Sequence, residues 1–310
     1  LLFAYFGYIF FMTLTQFNRI IEIRTKIISM SSFLCGSVFA ATAEGTWSWP
    51  LFFLMAAAVL FVDMGTTGFN SYFDFVSGTD KEQYNIVRDK VLVHEGVDPA
   101  AALKLSLFLF GTAGILGIII AFMTSWMVLA VGGISMIAGF TYTGGPFPIS
   151  RTPAGELFAG GFLGSLLFVL SYYIQAGRWD GETVLASLPF LLLIAMILTV
   201  NNTCDMISDR AAGRKTFSIL AGYRISRAVI ILQWAAALAA ALWLILRGTY
   251  PFPMVPFFII SLPLAVRELS VMLSRGFSLE TKGPSMGSVS RLFLLYSFSM
   301  FLGCIITLAV

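Results

Sequence analysis

Charge is what this chain has least of: only 11% of its 310 residues are Asp, Glu, Lys or Arg, while 58% are hydrophobic. No soluble domain of this length has that balance, so the composition excludes a soluble fold and implies a polytopic membrane protein. Cysteine is scarce too, and Cys35, Cys204 and Cys304 lie in or beside apolar runs with no pairing pattern, which excludes a disulfide framework. Short segments of alternating polarity are missing, and 30 phenylalanines suit lipid-facing helices better than a membrane barrel. Residues 1–17 are apolar but lack a basic leading region and a cleavage site, so they are not an intact signal peptide. They read as a partial span or an interfacial helix ahead of one domain over residues 18–310. The net charge of +3 is small, and no nucleic-acid partner is expected.

What the chain does have is apolar runs, at 27–43, 51–69, 102–122, 127–142, 153–174, 183–200, 226–246, 252–273 and 290–310. Each is close to the roughly 20 residues that carry a helix across the hydrocarbon core, so an all-α protein of nine transmembrane helices around a central cavity is expected. Short and long connections alternate. The short ones carry only Arg178 and Arg247, and every other Lys or Arg lies on the long-loop side or at a helix end nearest to it. The positive-inside rule puts the long loops in the cytoplasm of a multi-pass protein of the cell membrane. Trp47, Trp49, Trp126, Trp179 and Tyr250 gather at the opposite ends, as an interfacial aromatic belt would.

Two of the runs leave the membrane through the same element. After 183–200 come Asn201, Asp205 and Asp209, at i, i+4 and i+8 on one helical face with no Lys or Arg among them. Stacked carboxylates repel, and a divalent cation removes the repulsion; oxygen-only ligands suit Mg²⁺, which shares its shell with waters and substrate phosphates. The competing reading is an ordinary solvated helix end. Asn70 and Asp74 repeat the spacing after 51–69, and Gly78 permits a turn that returns Asp80 towards them. The paired elements match what a two-metal clamp on a diphosphate needs, with Asn70, Asp74, Asp80, Asn201, Asp205 and Asp209 as ligands. Both face the long-loop side, four helices apart, in the manner of an internal repeat. Arg88, Lys90, Arg210, Arg214 and Lys215 follow the acidic faces closely and are candidate anchors for the rest of a polyanion; half of such loop charges serve only to orient the chain. His94 is the only histidine, and a lone loop histidine is more often a solvated residue than a catalyst. Asp63 lies two turns before Asn70 and is expected to line the same cavity, while Tyr142, entering the stiff 143–148 turn, offers an electron-rich ring to a cation.

These residues resemble a known family. Asn201-Asn202-x-x-Asp205-x-x-x-Asp209-Arg210-x-x-Gly213-x-Lys215-Thr216 is similar to the second aspartate motif of the UbiA superfamily of intramembrane prenyltransferases, and Asn70-x-x-x-Asp74-Phe75-x-x-Gly78-x-Asp80 to the first. The doubled Asn201-Asn202, and Tyr142-Thr143-Gly144-Gly145-Pro146 ahead of Gly155-Glu156, look most like the 1,4-dihydroxy-2-naphthoate prenyltransferase branch. Ser71 departs from the Asp common there, and His94 stands where relatives often carry Arg. The resemblance implies a prenyltransferase in which Mg²⁺ bridges both motifs to a polyprenyl diphosphate. Asp74, Asp205, Asp209 and Tyr142 would be catalytic, and Arg88, Lys90, His94, Arg210, Arg214 and Lys215 would hold the substrate. An aromatic acceptor would attack the resulting allylic cation through carbon, with membrane lipid surrounding the isoprenoid tail. For the naphthoate branch it implies menaquinone biosynthesis, with loss of CO₂. Arg24, at the mouth of the first span, is a candidate anchor for the acceptor's carboxylate and equally a simple orientation charge. Other acceptors (4-hydroxybenzoate, homogentisate, haem or a lipid) fit the same superfamily. A secondary transporter is the reading from another class, disfavoured because the acids cluster at cytoplasmic helix ends rather than at the midplane.

Overall fold

The computed structural model describes residues 12–80 and 90–310. Among them nine helices are long and apolar enough to cross a membrane: α1 Ile23–Glu44, α2 Trp49–Val76, α3 Pro99–Met123, α4 Trp126–Thr143, α5 Gly155–Ala176, α6 Gly181–Cys204, α7 Tyr223–Leu246, α8 Met254–Arg275 and α9 Lys282–Ala309. Local chemistry fixes where they start. Asp98 accepts from Ala100 N ahead of Pro99 at the start of α3, and Asp180 accepts from Thr183 N at the start of α6, each occupying an orphan amide of a first turn. A short helix, Leu14–Ile20, precedes α1 and is closed by a capping box between Thr13 and Gln16.

Helices α6 and α1 are the most enclosed, and α4 and α8 the least. α2 packs along α3, α6 along α7, α8 along α9, and α1 along α5 and α9, so the chain closes around α6 and α1. The α5–α6 contact depends on missing side chains. A Cβ added at Gly164 would lie 2.7 Å from Leu191 N and Phe190 O, and one at Gly160 would lie 2.4 Å from Leu191 O. Small residues four apart let the two backbones approach, as in close membrane-helix pairs. The same stretch, Gly160–Leu166, widens from α to π geometry.

Two motif-bearing helices outrun their apolar cores. α2 continues to Val76 and holds Asn70 and Asp74 in its last turns, while α6 continues to Cys204 and holds Asn201, with Asp205 capping its end. Trp49, Trp126 and Trp179 are exposed at the opposite end, as the belt requires. Tyr250 is not part of that belt. It is only 1% exposed, and its hydroxyl pairs with Ala186 O and Tyr296 in the core. Asp63 is tied to the neighbouring helix. It turns towards α1, where Lys26 Nζ lies 2.7 Å from its Oδ1 and Ser29 Oγ donates to its Oδ2 at 2.5 Å. An acid inside a span needs a counter-ion, and the buried Lys26 supplies it.

Candidate active site

The first motif is shaped by its helix end. Asn70 Oδ1 accepts from Thr143 Oγ1 at 2.6 Å, tying α2 to the end of α4. Beyond Val76 the chain reverses at Gly78, whose φ of 67° favours glycine, and both Thr79 N and Asp80 N donate to Asp74 O, at 2.9 and 3.0 Å. The turn therefore returns Asp80 to the neighbourhood of Asp74. Lys90 Nζ lies 3.4 Å from Asp80 and 3.6 Å from Glu22. Burial disfavours its charge, but Glu22, Asp80 and Asp74 together hold the ammonium above its ordinary range.

The second motif was expected on one uninterrupted helix, but α6 stops at Cys204 and a separate turn, Met206–Ala211, follows Asp205. Asp205 N still donates to Asn201 O and Asp209 N to Asp205 O, so the i, i+4 stacking survives the break. Asn201 Nδ2 reaches Asp205 Oδ2 at 3.3 Å. Asp205 also takes Lys282 Nζ of α9 at 2.5 Å.

Arg214 joins the two motifs. Its guanidinium lies 2.6 Å from Asp74 Oδ1 and 3.1 Å from Asp209 Oδ1, one arm on each. Burial opposes its charge, yet Asp74 and Asp209 hold it protonated beyond the ordinary arginine range. Asp209 is 3% exposed, and its Oδ2 is buried without a partner among the described residues. Burial pushes its acid up to about 6 against the pull of Arg214. Tyr142 is half-buried on α4, its hydroxyl beside Gly155 and within electrostatic range of Glu156, Arg214, Asp74 and Asp209.

The residues expected from sequence thus divide. Asn70, Asp74, Asp80, Asn201, Asp205, Asp209, Tyr142, Lys90 and Arg214 converge. Arg24, Arg210 and Lys215 have exposed side chains and make no ion pair among the described residues. His94 ends the short helix Val91–His94 with its Nε2 buried and unpartnered, and Arg88 lies outside the described residues. Two cations were missed: Lys282, and Arg151, whose guanidinium donates to Thr79 Oγ1 at 3.4 Å. Their only advance signal was membership of long basic connections.

Among the described residues no three acid, His or Cys side chains stand together as a ready metal site, because cations are interposed between the carboxylates. The donor set nonetheless suits a hard divalent ion. It is all oxygen, its charge is now balanced by side chains able to swing away, and Asp209 Oδ2 is left without a hydrogen bond.

Residues 29–275 match the model of the UbiA prenyltransferase family. The chain belongs to that family. A 1,4-dihydroxy-2-naphthoate octaprenyltransferase from Bacillus subtilis (strain 168) is 34% identical over 198 residues, covering 64% of this chain and 63% of that relative. The chain thus matches less than two thirds of that relative's length. Among solved structures, an apo UbiA homolog from Aeropyrum pernix K1 superposes with a TM-score of 0.65 at 17% identity, covering 92% of this chain and 98% of that one. A UbiA homolog from Archaeoglobus fulgidus bound to DMAPP and Mg²⁺ gives 0.62 at 15%, with the same coverage of 92% and 98%. At these identities the likeness establishes the UbiA fold, an all-helical multi-pass membrane protein. In this UbiA family member, two separately encoded acidic elements meet at one end of that bundle.

Proposed function

We propose that this chain transfers a polyprenyl group from its diphosphate to an aromatic acceptor, 1,4-dihydroxy-2-naphthoate, in menaquinone biosynthesis. The reaction would take place at the cytoplasmic face of the cell membrane, within one catalytic unit over residues 18–310. The observation that carries the reading is the convergence of Asp74, Asp80, Asp205 and Asp209 from two motifs, with Arg214 spanning Asp74 and Asp209. Similarity to a naphthoate octaprenyltransferase favours that acceptor, and the Mg²⁺ and DMAPP held by an A. fulgidus relative favour the ligand class.

Asp74, Asp80, Asp205 and Asp209, helped by Asn70 and Asn201, would hold Mg²⁺, which when bound supplies charge neutralisation to the departing diphosphate. Once their carboxylates are engaged, Arg214, Lys282 and Lys90 are free to turn to phosphate oxygens, where a guanidinium grips two at once. Arg88, His94, Arg210 and Lys215 are further basic groups for the same diphosphate. When the carbon–oxygen bond breaks, an allylic cation remains, and the ring of Tyr142 is the nearby electron-rich surface for it. Phe69, Phe73 and Phe140 pack edge-on between α2 and α4 and help to keep water from those turns. Arg24, exposed at the mouth of α1, is the candidate for the acceptor carboxylate.

The test is transfer of labelled prenyl diphosphate to a panel of acceptors in membranes containing the protein. Naphthoate should be prenylated in Mg²⁺ and not in EDTA. Asp74→Ala, Asp205→Ala and Asp209→Ala should each lose at least about 100-fold in rate while still inserting, because one missing charge leaves the diphosphate under-neutralised. Full activity in EDTA would overturn the metal assignment, and prenylation of 4-hydroxybenzoate alone would overturn the acceptor.

A further inference from the structure

Glu156 is a buried acid that the scheme above does not use. It opens α5 and is only 7% exposed. Its Oε1 accepts from Asn202 Nδ2 at 2.8 Å, and Asn202 adjoins the motif residue Asn201 on α6. Its Oε2 is buried and has no hydrogen-bond partner among the described residues. A carboxylate in that state forgoes a hydrogen bond that water would otherwise provide, an arrangement that stability alone does not favour. The spare oxygen is held in place, since Asn202 fixes one side of the carboxylate and the close α5–α6 approach at Gly160 and Gly164 fixes the helix that carries it. Tyr142 has its hydroxyl beside Gly155, the residue before Glu156. Among the described residues Glu156 pairs with no Lys or Arg, unlike Asp74, Asp205 and Asp209, which all do. Its free oxygen is thus not claimed by a side-chain cation and is open to a hydrogen-bond donor.

We propose that Glu156 Oε2 receives the ring hydroxyl of the aromatic acceptor and carries its proton through the transfer. This rests on the aromatic-acceptor reading and deepens it, since it requires an acceptor with a hydroxyl beside the reacting carbon. As the ring carbon bearing the carboxylate attacks the allylic cation, the hydroxyl proton passes to Glu156 and the hydroxyl oxygen becomes a ketone. The ring is then a β-keto acid carrying both the new prenyl group and the carboxylate. Loss of CO₂ leaves the electron pair of the broken carbon–carbon bond as an enolate. Glu156 returns its proton to that oxygen, and the aromatic hydroquinone is restored. The carbon–oxygen bond to diphosphate has broken, one carbon–carbon bond has formed and another has broken, and the proton is conserved without an oxidant.

The experiment compares wild type with Glu156→Gln and Glu156→Asp, using 1,4-dihydroxy-2-naphthoate and Mg²⁺–prenyl diphosphate. Gln keeps an oxygen for Asn202 but has no basic site, so kcat should fall about 100-fold or more, the usual contribution of a placed acid–base group. The KM for prenyl diphosphate should stay within twofold, and a direct binding measurement with Mg²⁺–prenyl diphosphate should show the same affinity, which also reports that the variant is folded. Asp keeps the base on a shorter arm and should retain more of the rate than Gln. A Gln variant within fivefold of wild-type kcat overturns the proposal. So does a variant that loses diphosphate binding in step with rate, since Glu156 would then only brace Asn202. If wild type itself prenylates no hydroxylated aromatic acid while still consuming prenyl diphosphate on another acceptor, the acceptor reading fails first, and this role falls with it.

Discussion

Asp209 carries two opposed demands. One of its oxygens is held by Arg214, the other has no partner, and burial raises its acid to about 6. An acid raised on folding favours the fold where it is protonated, and that contribution fades as pH climbs through about 6. Any divalent ion taking Asp209 as a ligand must displace the same proton, so Mg²⁺ affinity should rise with pH, by roughly fourfold between pH 5.5 and 7.5 for one proton of that acidity. Calorimetric titration of the detergent-solubilised protein at the two values measures it, and Asp209→Asn should remove this component. An affinity that is flat with pH in the wild type would argue that Asp209 is no ligand. At this scale the sequence was informative within each motif, because i, i+4 spacing is local. It was silent on what the carboxylates pair with. Arg214 meets Asp74 across 140 positions and Lys282 meets Asp205 across 77, distances over which no spacing rule operates.

The elements were legible where apolarity alone decides them. The run at 183–200 became α6, Gly181–Cys204, and the run at 27–43 became α1, Ile23–Glu44. Apolarity ends before the helix does, however, because backbone hydrogen bonds continue through polar turns that neighbouring helices enclose; hence Asn70 and Asp74 lie inside α2 and Asn201 inside α6, while Asp80, Asp205 and Asp209 lie just beyond the helix ends. The π-shaped stretch Gly160–Leu166 had no such signature, since it arises from how tightly α5 meets α6. That contact gives a prediction. A methyl at Gly164 would meet main-chain atoms of Phe190 and Leu191 at 2.7 Å, and backbone cannot rotate away as a side chain can. Gly164→Ala should therefore force α5 and α6 apart and cost about 1–3 kcal/mol, seen as a lower thermal midpoint in detergent. Gly161→Ala, with open space at its Cβ, is the control and should be near neutral. Equal losses at both would mean that helix flexibility, not close approach, is what the glycines provide.

For the whole molecule the decisive property is that both motifs reach the same side of the bilayer. The inference from charge is that all long connections are cytoplasmic, and the fold agrees in one respect it need not have: Asp74 and Asp209 are close enough to share a single guanidinium. Two groups so joined cannot lie on opposite faces of a membrane some 30 Å thick. The proposal that this face is cytoplasmic rests on the basic residues and is open to direct measurement. Cysteine introduced at Ser77, just beyond α2, or at Ala211, beside the second motif, lies at an exposed position at the motif end, whereas Gly181 is exposed at the start of α6 on the other side. The native Cys35, Cys204 and Cys304 are buried, so the background should be low. In intact cells an impermeant maleimide should modify the Gly181→Cys variant and leave Ser77→Cys and Ala211→Cys untouched, while inside-out vesicles should reverse the pattern. Ser218 would be a poor reporter for the second motif despite its position in the same loop, because it is fully enclosed next to Thr203. If the pattern were uniformly inverted, the two motifs would still form one site but face outwards, and the supply of prenyl diphosphate from the cytoplasm would need another route. If Ser77→Cys and Ala211→Cys were labelled from opposite faces, Arg214 could not span Asp74 and Asp209, and the shared diphosphate site would be wrong.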